Sequence, residues 1–185
     1  MTDPVTFNPY ATPRAEVDDV TILRAGEPVF FPVSRLKLTL MTLATFNLYL
    51  VYWFYRNWKH LQKLTGDRVS ASIRAVFYSL TAYFLFKGMR KQAAAMDVVF
   101  PAAGPLAIAL LVLTSLWRVP DPYWLVIFLG FVPLLPVQAA VNEMNRKAAP
   151  EADPNSRLGG WNIAAVVVGG LLFVMAVIGA FIGAQ

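Results

Sequence analysis

The sequence has no cysteine, a single histidine and few charged residues. Without cysteine the chain can form no disulfide and can use no thiolate chemistry. Charged residues make up 15% of its 185 residues, against roughly 25% in an average soluble domain. The shortage of charge accompanies 57% hydrophobic residues and a mean hydropathy of +0.53. This composition excludes an ordinary soluble domain and predicts an integral membrane protein.

The sequence also lacks the usual catalytic and nucleotide-binding patterns. It contains no H-E-x-x-H, no G-x-S-x-G and no Walker-type phosphate loop. We therefore predict a non-enzymatic protein with no catalytic residues, no cofactor and no metal. The net charge of +5 comes from basic residues that border apolar segments, which is typical of membrane flanks and not of a nucleic-acid surface. We expect no nucleic-acid partner and no cleavable signal peptide.

Four apolar segments are each close to the length of about 20 residues that a membrane-spanning helix needs. They predict an all-α, polytopic helix bundle, with a single transmembrane domain over 35–185 behind an extramembrane tail over 1–34. Within the tail, "VTIL" and "VFFPV" are compatible with a small hairpin, but an irregular surface arm is the preferred interpretation. The predicted spans are 38–55, 98–117, 123–141 and 163–182.

Residues 70–90 form a further apolar stretch, but Arg74 and Lys87 leave only twelve uncharged residues between them. That is roughly 18 Å of helix against a bilayer core of about 30 Å. A crossing would also separate two groups of basic residues, against the positive-inside bias. We predict an interfacial or re-entrant helix here, with five spans as the alternative, and an outward-facing C-terminus. The two groups are Arg56, Lys59, Lys63 and Arg68, and Lys87, Arg90, Lys91, Arg146, Lys147 and Arg157.

The stretch "LATFNLYLVYWFYRNWKH", residues 43–60, changes from apolar to aromatic to basic. Aromatic rings followed by cations are typical of a helix that reaches the membrane–water interface. The basic stripe is predicted to contact lipid headgroups or a partner, and simple anchoring is the blander interpretation. Its members are Arg56, Lys59, His60, Lys63 and Arg68.

The same stretch carries a family resemblance. "TFNLYLVYWFYRNWK" resembles the T-x-G-[IL]-Y-x-x-Y-W-F-Y-x-x-W motif of uncharacterised small bacterial multipass membrane proteins, and "RAVF" and "WNI" further along fit the same pattern. The resemblance covers only part of the chain and implies a membrane location but no activity. Asn47 stands where the motif has glycine, and asparagine tolerates left-handed backbone geometry. A first segment that bends at Asn47 and returns is therefore the alternative to a crossing helix.

Arg74 is the ionisable residue closest to an apolar helix, where a charge normally has a partner. We predict that it pairs with Asp97 or Glu143, with Glu143 preferred, unless it only reaches lipid phosphate. Gln138, Asn142 and Asn162 are the neighbouring hydrogen-bonding groups. Together these six residues form the predicted intramembrane polar cluster.

The last two spans contain helix-modifying residues. Gly130, Pro133 and Pro136 predict a kink in the third span, because each proline frees a carbonyl four residues earlier, at Leu129 and Val132. Such breaks sometimes form transport sites. In the fourth span, Gly169, Gly179 and Gly183 predict close helix packing, within the chain or against a second copy.

These features predict a small, non-enzymatic accessory or scaffold protein of the bacterial inner membrane. Its basic cytoplasmic face would contact anionic lipid, and a membrane-protein partner or a homodimer is compatible with the glycine pattern. The alternative is a small carrier or channel that uses Arg74 and the kinked third span. A transport role predicts a polar cavity near Pro133, whereas a scaffold predicts a closed apolar core.

Overall fold

The computed structural model describes residues 26–120 and 122–183. All regular secondary structure within these two ranges is helical. Two 3₁₀ helices, Leu116–Arg118 and Tyr123–Phe131, lie between the fifth and sixth α-helices. The α-helices are α1 (Arg35–Ala44), α2 (Leu48–Thr65), α3 (Ala71–Val76), α4 (Tyr78–Ala95), α5 (Ala103–Ser115), α6 (Leu134–Ala148) and α7 (Gly160–Gly183).

The first predicted span, 38–55, is interrupted near its middle. Phe46 and Asn47 have φ angles of 51° and 68°, a left-handed conformation in which a right-handed helix cannot continue. The Asn47 N–H is nevertheless satisfied, because it donates to the Thr42 carbonyl at 2.9 Å. The segment is therefore two helices, α1 and α2, as in the alternative that bends at Asn47.

The chain doubles back at this break. Just before α1, the Phe31 N–H donates to Asn57 Oδ1 of α2 at 3.1 Å. The Phe31 ring also meets the Tyr52 ring edge-on, with centroids 5.5 Å apart. Because the start of α1 lies beside the middle of α2, the two helices form an antiparallel hairpin with its tip at Phe46 and Asn47.

Helix α1 runs in the same direction as α7 and covers the first part of it. Near the start of both helices, Lys37 Nζ donates to the Arg157 carbonyl at 2.8 Å. Further along, the Ala44 backbone lies against Gly169, and the Phe46 and Phe173 rings are 6.2 Å apart. The hairpin tip is thus level with the middle of α7. A crossing by 38–55 would put Lys37 and Arg157 on opposite sides of a membrane, so the structure does not confirm four full spans.

Two stretches of the described residues, Tyr123–Ala148 and Gly160–Ile182, are long and apolar enough to cross a membrane. They contain the predicted third and fourth spans. The predicted span 98–117 starts later than expected, at Ala103, and its apolar helix is shorter than the other two. Pro105 lies in the first turn of α5, where the missing N–H costs no hydrogen bond.

The predicted interfacial segment 70–90 contains α3 and most of α4, which meet at Phe77. One side of α4 is buried in the core, including Ala82, Leu85, Phe86 and Met89. Large apolar residues are exposed on the rest of α4 (Leu80 and Phe84), on α3 (Ile73 and Val76) and at the junction (Phe77). With Lys87, Arg90 and Lys91 in its second half, α4 is not among the two stretches apolar enough to cross. Its interfacial location stays a prediction.

The end of the predicted surface tail is part of the core. Val29, Phe30, Phe31 and Val33 are between 0 and 4% exposed, although 1–34 was expected to be an extramembrane arm. Residues 29–33 form neither a helix nor a strand, with bends at 29 and 30, and the proposed partner "VTIL" lies outside the described residues. Such backbone can be buried only if its polar groups are paired, and here side chains of the helices and of the connection before α7 pair them.

Candidate functional site

A set of carboxamide side chains, here called the amide clamp, holds the buried segment 30–33. The clamp consists of Asn57 on α2, Gln138, Asn142 and Asn145 on α6, and Asn155 in the connection before α7. The three residues of α6 are spaced i, i+4 and i+7, which places them on one face of the helix. That face points at segment 30–33, so the spacing brings the three amides to the backbone of this segment.

Each clamp residue bonds a different part of the segment. Asn145 accepts from the Phe30 N–H at 3.1 Å and donates to the Phe30 carbonyl at 3.0 Å. Asn57 accepts from the Phe31 N–H at 3.1 Å, and Gln138 donates to the Phe31 carbonyl at 3.3 Å. The next two carbonyls, of Pro32 and Val33, accept from Asn155 and Asn142, each at 3.0 Å.

The clamp continues into the bundle core through Gln138, which is fully buried. Its Oε1 accepts from Trp53 Nε1 at 2.6 Å, and its Nε2 donates to Asn142 Oδ1 at 2.8 Å. The structure therefore brings together Gln138 and Asn142, two members of the predicted polar cluster. Sequence reasoning missed Asn57, Asn145 and Asn155, although the helical spacing of 138, 142 and 145 was a usable signal.

Lys37 is a buried cation at the same end of the molecule, 7% exposed. Its Nζ donates to Asn155 Oδ1 at 2.7 Å and to the Arg157 carbonyl at 2.8 Å. When the Asn162 amide is oriented with its oxygen towards Lys37, this oxygen accepts a third hydrogen bond from Lys37 Nζ at 3.2 Å. Asn162 thus contacts Lys37 and not Arg74. Lys37 was not predicted as a site residue, and it fastens the start of α1 to the start of α7.

Arg74 pairs with a carboxylate that the sequence prediction did not consider. Its Nη1 lies 2.6 Å from Asp67 Oδ2, and its guanidinium carbon lies 4.4 Å from the centre of the Trp58 ring. The predicted pairing with Asp97 or Glu143 is wrong. Asp67 lies in the loop between α2 and α3, and this loop brings its carboxylate to Arg74 on α3. The Val69 N–H, which donates to this carboxylate, is the main cause of a lowered Asp67 pKa, and Arg74 lowers that pKa further.

The carboxylates expected to pair with Arg74 have other roles. Glu143 binds Arg146 one turn further along α6, with Arg146 Nη2 2.6 Å from Glu143 Oε1. Asp97 has a φ of 51° and ends the turn after α4, where its carbonyl accepts from Lys147 Nζ at 3.0 Å. Asp97 and Glu143 line an open groove of about 590 Å³ together with Arg35. The predicted six-residue cluster is therefore divided among four places.

The predicted basic stripe lies on α2 beside the aromatic rings. The Arg56 guanidinium carbon is 4.8 Å from the centre of the Phe31 ring, and Arg56 Nη1 donates to the Tyr52 hydroxyl at 2.8 Å. Lys59 Nζ lies 5.9 Å from the centre of the Tyr55 ring. Lys63 in the last turn of α2 and Arg68 in the following loop are exposed. The stripe is thus a continuous surface of rings and cations.

His60, the single histidine, is partly buried within this stripe. Burial is the main reason that its pKa is lowered to about 4, and the nearby Lys63 and Arg56 charges lower it further. A backbone hydrogen bond with Pro28 opposes the shift. His60 is therefore neutral at physiological pH, and the charge of the stripe comes from its lysines and arginines.

The prolines of the third span lie where the 3₁₀ helix Tyr123–Phe131 meets α6. The Leu129 carbonyl, expected to be freed by Pro133, accepts from Val132 N–H at 2.9 Å. The Val132 carbonyl, expected to be freed by Pro136, accepts from Leu135 N–H at 3.1 Å. Gly130 packs against Leu50 of α2. The helix changes type here, and each carbonyl has a backbone donor, so neither is left unpaired by the prolines.

The glycines of the last span divide into two groups. A Cβ atom on Gly169 would overlap the Ala44 carbonyl oxygen, so only glycine allows this contact between α1 and α7. A Cβ on Gly179 would meet nothing within 4 Å, and Gly183 is the last residue of α7. Gly169 therefore acts in packing within the chain, whereas Gly179 faces the surroundings.

Comparisons of the chain with family models, with curated proteins and with solved structures found no match. Over 26–120 and 122–183, no group of three or more histidine, cysteine, aspartate and glutamate side chains is arranged to hold a metal ion. Any functional interpretation therefore comes from the sequence and the geometry described above.

Proposed function

We propose that this chain is a non-enzymatic, multi-pass accessory or scaffold protein of the bacterial inner membrane, and that its basic stripe contacts anionic lipid headgroups. The observation that carries the proposal is the continuity of aromatic rings and cations on α2. Arg56 lies against Phe31 and Tyr52, and Lys59 lies near Tyr55. Aromatic rings prefer the membrane interface and cations are attracted to anionic headgroups, so this surface fits headgroup depth.

The hairpin leads us to propose a different topology from four full spans. In it, α5, residues 123–148 and α7 cross the membrane, while α1 and α2 enter it and return. This arrangement keeps Lys37 and Arg157, which are in contact, on the same side. It also collects the basic residues of α2, α4 and α6 on the cytoplasmic side, as the positive-inside bias favours. Helices α3 and α4 would lie at the interface with their apolar side in the lipid.

Helix α7 supplies the surface for a scaffold role. Trp161 is 91% exposed, and the apolar residues along the rest of the helix are mostly exposed as well. In a membrane this surface would face lipid, a partner helix or a second copy of the chain. Gly179, which meets nothing within 4 Å, lies in the part of α7 beyond the hairpin tip and allows close approach of another helix.

The lipid assignment is tested by replacing Arg56, Lys59 and Lys63 together with glutamine. We expect binding to vesicles of anionic phosphatidylglycerol to weaken by roughly 1 kcal/mol per charge, with folding in neutral detergent retained. The matched control replaces Lys87, Arg90 and Lys91 of α4 in the same way. An equal loss of vesicle binding in both triple variants would mean that the net charge of the protein, and not the basic stripe, governs binding. Ion or solute flux through reconstituted vesicles would favour the carrier or channel instead.

A further inference from the structure

A second polar surface, with none of the basic-stripe residues in its lining, is an open groove between α2, α3 and α4. The groove has a volume of about 560 Å³. Its charged members are Arg74 and Asp67, which form an ion pair with side chains 19% and 33% exposed. Trp58, Leu61 and Phe84 supply the apolar walls. The groove therefore presents one positive and one negative group side by side on an otherwise apolar surface.

Both charged groups retain capacity to bind a ligand. The ion pair joins Arg74 Nη1 to Asp67 Oδ2, whereas a guanidinium has five N–H donors. The Asp67 carboxylate also accepts from the Val69 N–H at 2.9 Å, and a carboxylate has about four acceptor positions. The pair can thus bind an anionic and a cationic group of one ligand at the same time.

Trp58 adds a donor without an acceptor. The residue is 3% exposed, and its Nε1 has no hydrogen-bond partner in the described part of the chain. A buried N–H without an acceptor is costly, and Trp58 is one of the residues that line the groove. The ring also lies under the Arg74 guanidinium. Because Nε1 is itself buried, Trp58 contributes to the groove through its ring, which lies against the Arg74 guanidinium, and not through its N–H.

The surroundings of the groove are suited to hydrocarbon chains. Phe84, which lines the groove, and Leu80, one turn earlier on α4, are each 63% exposed. Phe77 and Val76 continue the apolar surface at the junction of α3 and α4. A ligand with a polar head in the groove could therefore extend acyl chains along this surface, where exposed apolar side chains would otherwise face water.

We infer that the groove is a binding site for a phospholipid whose headgroup carries both a phosphate and a primary ammonium. The phosphate would bind Arg74, held against the Trp58 ring, and the ammonium would donate to Asp67. Charge complementarity carries this choice, because a purely anionic headgroup would meet the Asp67 carboxylate beside its phosphate. A quaternary ammonium has no N–H with which to bind that carboxylate. The inference does not depend on the basic stripe, which carries the proposed contact with anionic lipid.

The test titrates the purified full chain, in neutral detergent, with single lipids and counts bound molecules by native mass spectrometry. The lipids are phosphatidylethanolamine, phosphatidylcholine and phosphatidylglycerol with identical acyl chains. We expect the ethanolamine lipid to bind the unmodified protein about tenfold more tightly than the other two, the effect of one charge-assisted hydrogen bond. Equal binding of all three, or preference for phosphatidylglycerol, would overturn the inference without any variant.

Variants then assign the two groups. Asp67→Asn is expected to abolish the preference for the ethanolamine lipid, Asp67→Glu to retain it, and Arg74→Gln to weaken binding of all three lipids. Lys91→Gln, which removes an exposed cation of α4, is the control and should change neither affinity nor preference. A preference unaffected by Asp67→Asn would exclude the proposed ammonium contact. Glycerophosphoethanolamine, the headgroup without acyl chains, should bind far more weakly, and equal affinity would identify a soluble ligand and overturn the lipid assignment.

Discussion

Asn145 makes both hydrogen bonds to Phe30 that a neighbouring β-strand would make. Its Oδ1 accepts from the Phe30 N–H at 3.1 Å and its Nδ2 donates to the Phe30 carbonyl at 3.0 Å. One carboxamide thus replaces a strand partner for a residue that is 0% exposed. The arrangement explains how a segment without regular secondary structure can be buried among helices, and it makes Asn145 the clamp residue with two bonds to the segment.

The first prediction concerns this bond pair. Asn145→Leu leaves the N–H and the carbonyl of Phe30 buried without partners, at a cost of about 1–3 kcal/mol for each group. We expect a clear loss of thermal stability in detergent, measured by circular dichroism. Asn142→Leu removes the donor to the Val33 carbonyl and one of the two acceptors of Gln138 Nε2, which keeps its bond to the Phe31 carbonyl, so this change should cost less. If Asn145→Leu is the milder of the two, segment 30–33 is not held as described.

The second prediction concerns topology, and the absence of native cysteine makes it direct to measure. Single cysteines at Glu27, Gln62 and Gln92 should all be protected from an impermeant thiol reagent added outside, because the hairpin returns to its own side. A cysteine at Arg118, at the opposite end of the bundle, is the positive control and should be labelled. Labelling at Glu27 but not at Gln62 would show that 38–55 crosses after all.

The third prediction concerns the contact between α1 and α7. Gly169→Val places side-chain atoms into the Ala44 carbonyl, and overpacking of this kind costs about 1–3 kcal/mol. The unfolding temperature should fall accordingly. Gly179→Val, in the same helix but with open space around it, should leave the monomer's stability nearly unchanged. A fall in dimer content of Gly179→Val on cross-linking would show that this part of α7 packs against a second copy.

The fourth prediction concerns His60, whose folded-state pKa is about 4 against an ordinary value of 6.5. Between these values the unfolded chain takes up a proton that the folded chain does not, so its protonation favours unfolding. Stability should therefore decrease as the pH falls from 6.5 to 4, and this group should cause no further loss below pH 4. In His60→Gln the decrease should be smaller over the same window. Identical pH profiles of the two proteins would contradict the burial of the imidazole.

The parts of the fold that were predicted are those with a local signal. The spans 123–141 and 163–182 are long apolar runs, and the structure contains both within its two membrane-length stretches. The break at Asn47 was foreseen only as an alternative, because asparagine permits left-handed geometry without requiring it. Whether the chain then crosses or returns depends on contacts such as Lys37 with Arg157, which no local pattern encodes.

The site was harder to predict because its partners lie in a loop or belong to the backbone. Arg74 was assigned to carboxylates near the spans, whereas Asp67 reaches it from a loop only seven positions earlier. The amide clamp binds main-chain groups of residues 30–33, and main-chain groups leave no mark in the sequence. Its one sequence signal is the amide spacing on α6, whereas Gln138 and Asn142 were predicted only as hydrogen-bonding neighbours of Arg74.

The hairpin of α1 and α2 ends level with Phe173, while α7 continues to Gly183. In the proposed topology the molecule therefore has a larger cross-section in the cytoplasmic leaflet than in the outer one, and it is wedge-shaped. Inserting it displaces unequal numbers of lipids from the two leaflets, which creates an area difference that a flat bilayer must absorb. The same wedge fits without strain where the membrane is convex towards the cytoplasm. The lateral distribution of this protein should therefore follow membrane curvature.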